Sequence, residues 1–148
     1  MYYVLCNIYY VNIFSNLVIN YFDNPKLTIM TGKELIARTK VFAINAIKLS
    51  EMLPVTFLGN HIKGQLIRCS TSVAANYRAT RLSQSNPTFI SKLSIVIEEA
   101  DESDFWIDFA LEFNLLEKQP AQTVMNEAKE LTAIFIATRK TMNQKRNR

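Results

Sequence analysis

The strongest constraint in this sequence is a row of seven residues in its third quarter. Phe89, Leu93, Val96, Ala100, Ser103, Ile107 and Ala110 recur at alternating steps of four and three. That spacing returns to one side of an α-helix and to no face of a β-strand. A helix with one apolar stripe must bury it against other elements, so the rest of the chain has to supply partners.

Three more rows of the same kind do so. The first helix is predicted to open on a capping box between Thr31 and Glu34, where hydroxyl and carboxylate satisfy each other's free amides. Its seam is Leu35, Thr39, Phe42, Ala46, Leu49 and Leu53, and Pro54 stops it. A second helix runs from about Asn60 to Leu82, with Ile62, Leu66, Cys69 and Val73 on one face and Tyr77 at its edge. Ser85, Asn86 and Pro87 supply a turn, a cap and the first position of the third helix. A short link through Pro120 leads to the fourth, which carries Val124, Ala128, Leu131, Phe135, Thr138 and Met142. Four amphipathic helices with short connections predict an all-α, antiparallel up-down-up-down four-helix bundle.

Composition agrees. At 148 residues the chain has room for one core, and 49% hydrophobic with 20% charged residues excludes disordered and low-complexity classes. Only three Gly and four Pro argue against a turn-rich β fold. Cys6 and Cys69 stand far apart with His61 as their sole histidine companion, which excludes a disulfide scaffold and a zinc finger.

The first 29 residues differ from the rest. No charge occurs between Met1 and Phe22, and Tyr2, Tyr3, Tyr9, Tyr10 and Tyr21 are five of the six tyrosines. Twenty-two uncharged residues would span roughly 33 Å as a helix, but Asn7, Asn12, Asn16 and Asn20 would each bring an amide into lipid. The segment lacks a basic n-region and a small-residue cleavage site. Residues 1–29 are therefore expected to be an extension outside the working domain, with a membrane anchor or an additional packed element as alternatives. Residues 30–148 are expected to form the bundle and its basic tail.

Charge is sorted along the chain. No acid lies between Met52 and Ile97, where Lys63, Arg68, Arg78, Arg81 and Lys92 stand. From Glu98 to Glu117 there are eight acids and no Lys or Arg, and after Glu130 come Arg139, Lys140, Lys145, Arg146 and Arg148 without an acid. Lys63, Arg78 and Arg81 fall within an arc of roughly 60° on the second helix. With Arg139, Lys140, Lys145 and Arg146 they are the candidate nucleic-acid-binding residues, against the plainer reading of solvated surface. Gln65, Arg68, Ser72 and Asn76 lie within an arc of roughly 80° and are expected to form a buried structural network reaching carboxylates of the third helix. Phe105, Trp106, Phe109 and Phe113 cluster opposite Ala100, Ile107 and Ala110, which predicts a covered face. The cover expected is another subunit, or else the N-terminal segment.

Catalytic arrangements are sparse. His61 has Leu58 three positions before it, so the Glu-x-x-His pattern of a di-iron bundle is missing, and neither Ser70 nor Ser72 has a histidine partner. No phosphate-cradling glycine loop occurs. No enzyme activity, cofactor or metal is expected.

The run Gln65-Leu66-Ile67-Arg68-Cys69-Ser70-Thr71-Ser72-Val73-Ala74-Ala75-Asn76-Tyr77-Arg78-Ala79-Thr80 carries a family resemblance, as do Phe89 to Val96 and Glu98-Glu99-Ala100-Asp101-Glu102-Ser103. Over roughly residues 31 to 140 the chain resembles the 23S rRNA intervening-sequence proteins; Ala79 and Thr80 stand where many members carry Glu-Gly. The resemblance implies a four-helix bundle assembled as a homopentamer in the bacterial cytoplasm, without known catalysis and with nucleic-acid binding as the expected role. The chain is also similar to the accessory protein of diversity-generating retroelements, a pentameric bundle that binds RNA and a reverse transcriptase. The expected partners are other copies of the chain and RNA, with a partner protein as the alternative and no membrane.

Overall fold

In a computed structural model, the described residues are 10–12, 17–20 and 28–146, with side chains described for 30–144. Three short strands, β1 (Tyr10–Asn12), β2 (Leu17–Asn20) and β3 (Thr28–Thr31), form an antiparallel sheet in the order β1-β2-β3. Val18 is opposite Val11 on one side and Met30 on the other. Four helices follow: α1 (Gly32–Ser50), α2 (Phe57–Thr80), α3 (Asn86–Glu112) and α4 (Lys118–Arg146). The chain is thus the expected all-α bundle preceded by a small meander that the helical periodicity did not signal. β3 leads directly into α1, and β1 lies against α4.

Local chemistry places the helix ends. The Thr31 hydroxyl accepts from the Glu34 amide at 3.2 Å, and the Glu34 carboxylate accepts from the Thr31 amide, so the expected capping box forms. α2 starts three residues earlier than expected, because Thr56 caps it by accepting from Gly59 N at 3.0 Å. Gly59 has no substitute there: a Cβ would sit 2.0 Å from the Pro54 carbonyl oxygen. For α3 the cap is Ser85 rather than Asn86, with its hydroxyl accepting from Thr88 N at 3.4 Å. Pro120 lies inside the first turn of α4 instead of in the link, where its missing N–H costs no helical bond.

α3 stops on a Schellman motif built without glycine. Asn114 takes a positive φ of 53°, the Leu115 amide donates to Ala110 O at 2.9 Å, and the Asn114 amide donates to Leu111 O at 2.9 Å. Leu115 then packs beside Ala110, Leu53 and Ile62, which closes that end of the core.

Pairs of contacts set helix direction. Along α1 and α2, Glu51 meets Lys63 at one end and Gly32 meets Arg81 at the other. Between α2 and α3, His61 meets Trp106 and Arg68 meets Glu99. Between α3 and α4, Ser94 meets Arg139 and Asp104 meets Lys129. In each pair the numbers rise on one helix and fall on the other, so sequential neighbours run antiparallel. The core between them holds Leu35, Phe42, Leu49, Leu66, Leu93, Ile107, Leu131, Ile134 and Phe135, all almost fully buried. Every seam residue expected on α1, α2 and α4 is buried, and on α3 Phe89 alone is only partly so.

The buried cluster begins at Leu35, with Met30 only partly covered at its margin. A chain starting at Met30 is therefore expected to remain helical and to unfold in one cooperative thermal transition by circular dichroism. A non-cooperative transition for that chain, beside a cooperative full-length protein, would make residues 1–29 part of the folding unit.

Candidate nucleic-acid interface

The structure divides the expected basic ridge on α2. A rise of about 1.5 Å per residue puts Lys63 and Arg78 roughly 22 Å apart along the helix, whatever arc they share. Lys63 sits near the start of α2, and its Nζ is 2.9 Å from Glu51 Oε2. Arg78 is exposed in the last turn. Arg81, the C-cap of α2, lies across the start of α1, where a Cβ on Gly32 would fall 2.7 Å from its Nη1. On α4, Arg139 Nη1 donates to Ser94 Oγ at 3.2 Å, while Lys140 is exposed. The side chains of Lys145 and Arg146 lie outside the described residues.

The polar row also separates into two parts. Arg68 Nε donates to Gln65 Oε1 at 3.2 Å and Nη1 donates to Glu99 at 3.0 Å, while Nη2 donates to Glu102. Trp106 Nε1 donates to the same Glu102 oxygen at 3.1 Å. The Arg68 hydrogen bond holds the Glu102 carboxyl below its usual range, against a smaller opposing effect of burial. Arg68 does reach the carboxylates of α3 as expected, but with half its side chain in solvent, so the bridge is a surface one. Ser72 and Asn76 take no part in it: Asn76 Nδ2 donates back to Ser72 O at 3.1 Å and Ser72 Oγ at 2.9 Å.

The aromatic cluster is continuous but unevenly covered. Ring centroids lie 5.0 Å apart for Phe105 and Trp106, 6.0 Å for Trp106 and Phe109, and 4.9 Å for Phe109 and Phe113. Trp106 and Phe109 pack against Leu53, Ile62 and Ala110 of their own chain, so they are not wholly set aside for another subunit. Phe105 and Phe113 remain about half exposed, at 53% and 52%.

Two charge clusters escaped the sequence reading. Arg38 of α1 clasps Glu127 at 2.7 Å and Glu130 at 2.6 Å on α4. Burial opposes the charge on Arg38, but the hydrogen bonds and attraction of both carboxylates outweigh it and hold its proton more tightly than usual. Glu127 and Glu130 lie three apart on one helix face, a spacing that offers such a fork, though nothing local points to Arg38 as the partner. Asp104 is the second case: its Oδ2 is 3.7 Å from Lys129 Nζ, and its buried Oδ1 has no hydrogen-bond partner among the described residues. Cys69 is fully buried, accepts from Ser103 Oγ at 3.1 Å, and has its thiol pKa pushed up by burial. Among the described residues no group of His, Cys, Asp and Glu could hold a metal ion, and no helix is long and apolar enough to cross a membrane.

Comparison with known proteins adds two findings. A family model described as 23S rRNA-intervening sequence protein matches residues 33–137. A solved structure of a protein of unknown function from the S23 ribosomal protein family of Bacteroides thetaiotaomicron superposes with a TM-score of 0.65 at 25% identity, covering 75% of this chain and 99% of that one. No curated protein matches the sequence.

Asp104 yields a prediction with a defined sign. Burial raises its pKa above the ordinary 3.8; Lys129 opposes that, and Asp108 and Asp101 add to it. An acid with a raised folded pKa costs stability when ionised, and the cost fades as pH falls through that value. Asp104→Asn is therefore expected to raise the thermal midpoint at pH 7, with the difference closing as pH falls below the ordinary carboxylate range. A lower midpoint at pH 7 would show that the attraction of Lys129 prevails instead.

Proposed function

Since the chain belongs to the 23S rRNA-intervening sequence protein family, we propose that it acts as a non-catalytic, oligomeric RNA-binding bundle of the bacterial cytoplasm. The observation that carries this reading is the sorting of charge: the acid-free stretch from Met52 to Ile97 holds five cations, and five more cations follow the last acid, Glu130. Such segments attract phosphate through counterion release, which is strong at low salt and needs no base-edge contacts. One subunit offers few phosphate contacts. A ring of identical subunits, a homopentamer by family resemblance, would repeat the same face and raise the effective concentration of cations for one RNA.

A second reading is favoured by the exposed Phe105 and Phe113 on the acidic helix α3. In it the bundle is a scaffold whose partner is a protein, for example a reverse transcriptase. The two readings separate by salt, because RNA retention falls steeply with ionic strength and apolar capture does not.

Purified protein from a low-salt preparation is expected to carry RNA, seen as a raised 260/280 nm absorbance ratio that a high-salt wash lowers. A ratio typical of bare protein at low salt, with no retention of added RNA, would favour the scaffold. For the assembly, Phe105→Glu with Phe113→Glu is expected to reduce the mass found by light scattering to that of a monomer while helicity persists, because it places charge in an apolar contact. A wild-type monomer in the same measurement would remove the oligomer from the reading.

A further inference from the structure

The fold gathers at one end of the bundle cations that are remote in sequence. α1 begins where α2 ends, with Arg81 across Gly32. α2 passes to α3 through the short link at 81–85, and Ser94 near the start of α3 bonds Arg139 near the end of α4. Lys33, Arg78, Lys92 and Lys140 therefore share an end with Arg81 and Arg139. Among the described residues Arg78, Lys92 and Lys140 enter no ion pair. Glu34, the acid closest to this end on α1, is turned to the Thr31 amide in the capping box. α2 contains no acid, α3 has none before Glu98 and α4 none after Glu130.

The opposite end is mixed in charge. It carries Glu51, Asp108, Glu112 and Glu117 beside Lys48, Lys63 and Lys118, with Lys63 matched to Glu51. The bundle is thus electrically polar along its axis, although the net charge of the chain is only +4. Gathering like charges without carboxylates between them raises their mutual repulsion, which a polyanion relieves and a neutral ligand does not.

From this juxtaposition we infer that the end formed by Arg78, Lys92 and Lys140 is the polyanion site, docking the phosphates of single-stranded RNA, and that Lys63 lies outside it. The inference rests on the RNA-binding reading above and names its site. Neighbouring helix axes about 8–10 Å apart spread the cations over several phosphates rather than focusing them on one. Tyr77, the aromatic nearest Arg78 in sequence, is buried against Phe135 with ring centroids 4.9 Å apart, so it offers no face for a base to stack on. Binding through this end is therefore indifferent to base identity.

The test compares two charge-matched double variants of the full chain for binding a fluorescent 20-nucleotide poly(U) across a salt titration. Arg78→Glu with Lys140→Glu alters the proposed end; Lys48→Glu with Lys118→Glu changes net charge equally at the opposite end, and all four positions are exposed. The first pair is expected to weaken binding about tenfold or more near 0.1 M salt and to flatten the salt slope by roughly 1.4, that is 0.7 for each lost phosphate contact. The second pair is expected to stay within about twofold of wild type. Circular dichroism confirms folding, and Arg78→Gln with Lys140→Gln gives a milder version of the same loss. Equal weakening by both charge-reversal pairs would overturn the site, because net charge alone would then govern affinity. Wild-type binding unchanged by the first pair would overturn the site and leave RNA binding standing. No wild-type binding even at low salt would overturn both.

Discussion

Close approach of four helix stripes around one axis is the constraint on which everything else rests. Each stripe alternates bulk with smallness: Phe42 is followed by Ala46, Val96 by Ala100, and Ala128 comes before Leu131 and Phe135, all almost fully buried. Large side chains can then enter the gaps left by small ones on neighbouring helices, the interdigitation that interior packing density requires. Phe135 packed at a tilt against Tyr77 spans the diagonal between α4 and α2, and joins helices that the loops do not connect. If that packing failed, the helices would have little to hold them, since isolated helices of this length are marginal in water.

Polar contacts are arranged around this core as alignment devices more than as sources of stability. Arg38 with Glu127 and Glu130 ties the first helix to the last, and Arg68 with Glu99 and Glu102 ties the second to the third. The Arg68 pairs, with half of that side chain in solvent, contribute about 0–1 kcal/mol each, whereas Arg38 is largely covered. Their geometry nevertheless penalises a slip of one helix along another, because a slip of a single turn, about 5.4 Å, would part both partners. Among the buried hydroxyls, that of Ser103 reaches across from α3 to Cys69 of α2 at 3.1 Å, while those of Thr39, Ser50, Thr80 and Thr138 each return to a carbonyl of their own helix three or four residues back.

How much of this was legible in the sequence depended on whether a feature is local. The seams were, because burial on a helix has a period that a linear reading can see. The Thr31–Glu34 capping box was too, since it is complete within four residues. Thr56 was missed because Gly59 stands where the answering Glu or Gln would complete a box, and the stop at Asn114 because an asparagine does there what glycine commonly does. The strands β1, β2 and β3 carry no such signal because they have three or four residues each, too few to establish a period. For the candidate site, periodicity shows the angular position around α2 that Lys63 and Arg78 share, but not which end of the bundle each occupies, and that separates them. The clustering of Arg78, Lys92 and Lys140 needed the antiparallel order of the helices, and Arg38 needed the actual neighbour of α1.

The buried Cys69 has a consequence for how the bundle can be observed. Its thiol is fully enclosed, and burial keeps it protonated and therefore poorly nucleophilic. An oxidant or alkylating reagent in the bulk meets it only when α2 and α3 separate far enough to admit solvent. Its rate of chemical labelling is then a clock for excursions of the folded state, and reports the free energy of opening at the centre of the bundle while the protein remains otherwise native.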